Sequence, residues 1–160
     1  MNNNDRLTRL RYALDIKNGQ MVEIFELGGA TVSTAEVKEL LKKVETTDKD
    51  VEEYEKICTN ELFARFLNGL ITSQRGASDR EMPLELTDQN VNNLLLKKVK
   101  IALSLTSDDL LDILEEAGVS ISNSELSAVL RKEGHRNYKP CGDRYARNFL
   151  KGLTLRYRDL

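Results

Sequence analysis

Reactive side chains are scarce in this sequence of 160 residues: two cysteines, Cys58 and Cys141, and one histidine, His135. A structural zinc site calls for four Cys or His ligands, usually in closely spaced pairs. No such pair occurs here; His135 and Cys141 stand six apart with Pro140 between them. Neither a metal nor another cofactor is expected, and the cysteines read as small apolar residues buried beside a helix. Catalytic motifs are missing as well. There is no G-x-S-x-G and no Walker loop, and the glycines of "ELGGAT" (26–31) read as a helix stop. A general base would have to be Asp or Glu. The carboxylates lie in runs such as "DVEEYE" (50–55) and "DDLLDILEE" (108–116), the pattern of solvated faces. A non-catalytic protein is the expectation, although a perturbed carboxylate is invisible at this level.

Charge is the stronger chemical signal. Residues 1–130 carry 15 Lys/Arg against 23 Asp/Glu, a net −8, whereas residues 131–160 carry 9 against 3, a net +6. Within this basic end, Arg131, Lys132, Arg136, Lys139, Arg144, Arg147 and Lys151 form a candidate surface for an anion, an acidic protein or nucleic acid. Tyr138, Tyr145 and Tyr157 are interleaved with these cations, and exposed tyrosines stack on bases. The competing explanation is a solvated helix face that offsets an acidic body. Tyr145 also falls on an apolar stripe, which points it inward. A helix-turn-helix is only faintly drawn. The turn from Gly118 to Ser122 is long for that motif, and the following helix offers Asn123, Arg131 and Lys132 against Glu125 and Glu133. The corresponding first-half helix offers Lys38, Lys42 and Lys43 against Glu36 and Glu39.

The elements that must position these residues come in two copies. Residues 13–43 align with 102–132 without a gap at an offset of 89, and nine of 31 positions are identical. Leu7 and Leu10 fall on Leu96 and Val99. Downstream the offset drops to 83, so that Cys58 meets Cys141, Phe66 meets Phe149 and Gly69 meets Gly152. Each copy reads as four helices, A to D, with apolar residues three and four apart. Helix B stops at Gly29 or Gly118. Ser33 with Glu36, and Ser122 with Glu125, have the spacing of capping boxes that open helix C. No alternation predicts a sheet. Helix D holds a glycine among large apolar residues in both copies ("FLNGLI", "FLKGLT"), a cost of about 1 kcal/mol relative to alanine. The expected reason is a close crossing at Gly69 and Gly152, with the two D helices as partners across an approximate two-fold axis. The connection 44–58 is acidic, and its counterpart 133–141 is shorter and basic.

With 40% apolar and 31% charged residues the composition is that of a globular chain. No apolar run reaches the roughly 18 residues of a membrane span, so no membrane partner is expected. The start "MNNNDRLTRL" lacks a secretory layout. A cytoplasmic location with reduced cysteines is the expectation. The organisation reads as a first repeat over 1–75, a linker over 76–88 with Gly76, Ser78 and Pro83, and a second repeat over 89–160. The fold class is all-α: two tandem four-helix repeats in one compact unit with approximate two-fold symmetry.

"NNNDRLTRLRYALDIKNGQMVEIFELGG", "CTNELFARFLNGLI" and "YKPCGDRYARNFLKGL" together resemble the YehS-like family of small bacterial proteins, a duplicated domain of unknown function. The resemblance covers nearly the whole chain. It implies a bacterial cytoplasmic protein of two repeats and transfers no catalytic residue, cofactor or partner; the connection 44–58 is longer than the family pattern leads one to expect.

Overall fold

The computed structural model describes residues 1–48 and 52–158; parts of the acidic connection (49–51) and of the second repeat (159–160) lie outside the described residues. The helices are α1 Asn3–Ala13, α2 Asn18–Leu27, α3 Thr34–Leu41, α4 Asn60–Arg75, α5 Val91–Ala102, α6 Ser107–Glu116, α7 Asn123–Leu130 and α8 Asp143–Tyr157. Short-range chemistry sets most of their ends. Side-chain oxygens of Asn2, Ser33, Thr59, Thr106 and Ser122 each accept a hydrogen bond from a free N–H of the first turn. Glu36 completes the box at Ser33, but Glu125 does not return to Ser122, so the second predicted box is only half made. Gly29 and Gly118 both have φ near +90°, the left-handed turn that lets the chain leave helix B.

Strand pairing occurs where none was predicted. In the acidic connection, β1 Lys43–Val44 and β2 Glu53–Tyr54 form a small antiparallel hairpin, with Lys43 opposite Tyr54. The six extra residues of this connection give the chain room to fold back on itself. Its shorter counterpart is irregular among the described residues.

Helix D of each repeat reaches across to helix A of the other. Thus α4 packs on α5 as well as on its own α2, and α8 packs on α1 as well as on α6. The pattern of neighbours is unchanged when the repeats are exchanged, which is the approximate two-fold symmetry expected from the duplication. One apolar cluster runs through both halves, with Leu7, Leu10, Phe66, Leu96 and Phe149 all fully buried. Each of these large side chains stabilises the fold by roughly 1.5–3 kcal/mol through burial.

The partner assigned to the helix D glycines requires correction. Gly69 and Gly152 do sit at close crossings, but with helix B of their own repeat and not with each other. A methyl group at Gly69 would run into the Ile24 carbonyl oxygen and the Gly28 N–H; at Gly152 it would strike the Ile113 carbonyl and side chain. The reason lies in the layout: each D helix packs on helix B of its own repeat and on helix A of the other. The first crossing is the tighter one. It uses a second glycine, Gly28, lying against the Arg65 carbonyl, where the second repeat has Ala117.

Candidate binding surface

A pair of adjacent asparagines seats the connection before helix D in each repeat. Asn4 donates from Nδ2 to the carbonyls of Leu40 (2.9 Å) and Lys56 (2.7 Å), and its Oδ1 accepts from Cys58 N–H at 2.9 Å. Asn93 does the same with Val129 (2.9 Å), Lys139 (2.8 Å) and Cys141 N–H (2.9 Å). All six partners are repeat-equivalent. Asn3 and Asn92 add bonds to the Cys58 and Cys141 carbonyls. A buried amide fits this position because it donates twice and accepts with one group, satisfying backbone that would otherwise be stranded. Sequence reading missed this clamp, yet its signal was present: the 89-residue offset, extended upstream, places Asn3–Asn4 on Asn92–Asn93.

The two clamps meet at Arg6. Its guanidinium donates from Nε to Asn92 Oδ1 (2.8 Å), from Nη1 to Asn3 Oδ1 (2.9 Å) and from Nη2 to Asp143 Oδ1 (3.3 Å). The equivalent residue, Leu95, is simply apolar. Burial lowers the Arg6 pKa, an effect opposed first by the charge of Asp143. Desolvation opposes ionisation of Asp143. Bonds from Asn92 and the Met1 amino group (3.1 Å), with the charges of that group and Arg6, nevertheless hold its carboxyl below the usual range. A cleft of about 780 Å³ opens beside this group, lined in part by Asn60 and Asp88, which bond each other at 2.9 Å. Arg6 and the two asparagines bond one another, the Asp143 carboxylate and backbone carbonyls, so the arrangement locks the repeats together.

The cysteines offer no reactive thiol. Cys58 and Cys141 are both free and buried, and burial pushes each pKa up to about 12. His135 lies in the second connection, where its Nδ1 accepts from Asn137 N–H. Among the described residues no three His, Cys, Asp or Glu side chains are arranged to hold a metal ion. No described helix is long and apolar enough to cross a membrane.

All seven basic candidates are exposed. Arg131 caps the end of α7, Lys132 follows it, Arg136 and Lys139 lie in the connection, and Arg144, Arg147 and Lys151 share one face of α8. None of the seven has an ion-pair partner among the described residues, whereas the later cations Arg156 and Arg158 pair with Asp109 and Asp15. Equivalent cations in the first repeat are neutralised: Lys42 pairs with Glu55 (3.2 Å), Lys43 with Glu52 (3.5 Å) and Lys56 with Glu36. At the positions of Arg144, Arg147 and Lys151 the first repeat has Glu61, Ala64 and Asn68. The expected aromatic interleaving is only partly realised. Tyr138 and Tyr145 are half-buried, with hydroxyls enclosed and unpaired among the described residues. Only Tyr157 of the three is exposed. Of the residues read into a recognition helix, Asn123 lies in α7, whereas Arg131 and Lys132 fall at and beyond its end.

The family described as Protein of unknown function (DUF1456) matches residues 3–76 and again 92–159, so each match opens on the first residue of a clamp, Asn3 or Asn92. The uncharacterised protein YehS of Escherichia coli (strain K12) is 36% identical over 156 residues, covering 98% of this chain and 96% of that protein. No solved structure matches. The duplicated layout, the two matched segments and this end-to-end similarity make the chain a member of the DUF1456 family.

Proposed function

We propose that this protein is a non-catalytic interaction module of the bacterial cytoplasm that engages an acidic partner through the cationic surface of its second repeat. The observation that supports this most directly is the contrast between equivalent cations. Lys42, Lys43 and Lys56 are spent on the acidic connection of the first repeat, while Arg131, Lys132 and Lys139 are unpaired among the described residues. Exposed unpaired charge of one sign raises the local concentration of oppositely charged partners and speeds their encounter. Non-catalytic action is in keeping with the buried, high-pKa thiols and the spent polar atoms around Arg6.

A second reading is a nucleic-acid-binding or regulatory role through residues 131–158. The alignment of Arg144, Arg147 and Lys151 on one exposed helical face favours it; the enclosed Tyr138 and Tyr145 hydroxyls weigh against base stacking. Titration of the protein with fluorescent polyglutamate and with a single-stranded oligonucleotide tests both. The proposal expects polyglutamate binding that weakens with salt and is lost in the triple variant Arg136→Glu, Lys139→Glu, Arg144→Glu. Four phosphate contacts on the oligonucleotide would give a log–log salt slope of roughly −3. Failure of both polyanions to bind at low ionic strength would refute both readings.

A further inference from the structure

The approximate symmetry creates two equivalent outer grooves, one between α4 and α5 and one between α1 and α8, and they are covered differently. The chain's own connecting segment lies along the first. The Pro83 carbonyl accepts a hydrogen bond from Asn68 Nδ2 at 3.4 Å, Leu86 is buried and Met82 half-buried. Beneath it Asn68 and Lys98 are only 4% and 7% exposed and bond each other through Oδ1 and Nζ. Residues 76–88 carry Asp79, Glu81, Glu85 and Asp88 against a single Arg80, and the charge of Glu85 partly offsets the desolvation of Lys98. An extended, acidic segment with spaced apolar side chains thus covers a groove that contributes a cation.

The equivalent outer face, between α1 and α8, carries different side chains at the matching positions, and they are exposed. Lys151 stands at the position of Asn68 and Arg9 at that of Lys98; both are exposed, Lys151 without an ion-pair partner among the described residues and Arg9 paired with the buried Asp5 at 3.0 Å. Tyr12 replaces Ile101 and is 45% exposed; Leu155 replaces Thr72 and is 49% exposed. Arg158 closes one end by stacking over the Tyr12 ring at 3.9 Å. Arg147 and Lys151, unpaired among the described residues and two turns and one turn before the exposed Leu155 on α8, complement a segment of the composition seen on the first groove.

We propose that the α1–α8 groove docks an extended acidic segment of a partner protein, in the manner in which residues 82–86 lie on the α4–α5 groove. The proposal rests on the acidic-partner reading and narrows it to one site and one kind of ligand. The test uses the full chain, labelled for NMR, titrated with a synthetic peptide of residues 79–88 (DREMPLELTD) and with a single-stranded oligonucleotide. Two variants are compared: a groove variant, Arg147→Glu with Lys151→Glu, and the connection variant, Arg136→Glu with Lys139→Glu. All four positions are exposed, so both variants should melt like the parent. The expected result is peptide-induced shifts at Thr8, Arg9, Tyr12 and Leu155, with affinity reduced about tenfold or more by the groove variant and little by the connection variant. Peptide binding lost in the connection variant alone would overturn the groove while leaving the acidic-partner reading standing. Binding of the oligonucleotide alone would overturn it in favour of nucleic acid. Silence with both probes would sink the groove and the reading beneath it.

Discussion

The connection between helices C and D in the first repeat and its counterpart in the second start from the same scaffold and end with opposite surfaces. In both, an asparagine holds two carbonyls and a cysteine N–H at nearly the same distances. The first then spends six extra residues on a hairpin whose glutamates neutralise Lys42 and Lys43. The second keeps the shorter route, and its cations face solvent. Backbone clamping and surface charge have therefore been separable in this duplicated fold. The buried amide serves the backbone of either connection, because it is indifferent to the side chains that point away from it.

The largest expected effect tests the tighter of the two helix crossings. Gly69→Ala forces a methyl group against the Ile24 and Gly28 backbone and should cost about 3 kcal/mol, near the top of the overpacking range. Gly152→Ala meets a carbonyl and a side chain that can shift, and about 1–2 kcal/mol is expected. Urea unfolding of the two variants reads the difference directly. Equal losses would mean that the Gly28–Gly69 pair adds nothing to the first crossing.

Next come the clamps, where the repeats should agree. Asn4→Ala and Asn93→Ala each strand two carbonyls and one N–H, and about 2 kcal/mol is expected from either, with a corresponding fall in melting temperature. A marked inequality between them would show that the hairpin props up its connection without the amide.

The smallest effect separates Asn60 from its equivalent, Asp143. The folded Asp143 carboxyl is held below the ordinary value of about 3.9, so its stabilisation is complete above that pH and is lost as pH falls through the lower, folded value. With 43% of this side chain exposed, solvent screening limits the contribution to under about 1 kcal/mol. Stability measured against pH should lose part of its acid limb in Asp143→Asn. Asn60→Asp should show the reverse sign: a new carboxylate beside Asp88 destabilises at neutral pH and is relieved as pH drops.

Legibility followed the range of the interactions. Helix D was readable from Phe63, Phe66, Leu67 and Leu70, and its glycine announced a close approach. The identity of the approaching helix was not readable, because Ile24 and Leu153 look alike as apolar residues when their positions in space are unknown. Nothing in the local sequence sets Arg6 apart from any other charge at the start of a helix. Its burial comes from Asn92, 86 residues away, and Asp143, 137 residues away. The clamp asparagines were legible in principle, as a repeat of two letters at a known offset, but polar residues at a helix start read first as caps.

By itself the sequence determined the helices, their caps, the duplication and the need for glycine at two crossings. Each of these follows from interactions within a few residues or from comparing one half of the chain with the other. Only the tertiary structure decided which A helix each D helix embraces, which cations are neutralised and which of two equivalent grooves the chain covers with its own linker. Those outcomes depend on distances through space between residues far apart in sequence, and the same apolar spacing and charge are compatible with more than one such arrangement.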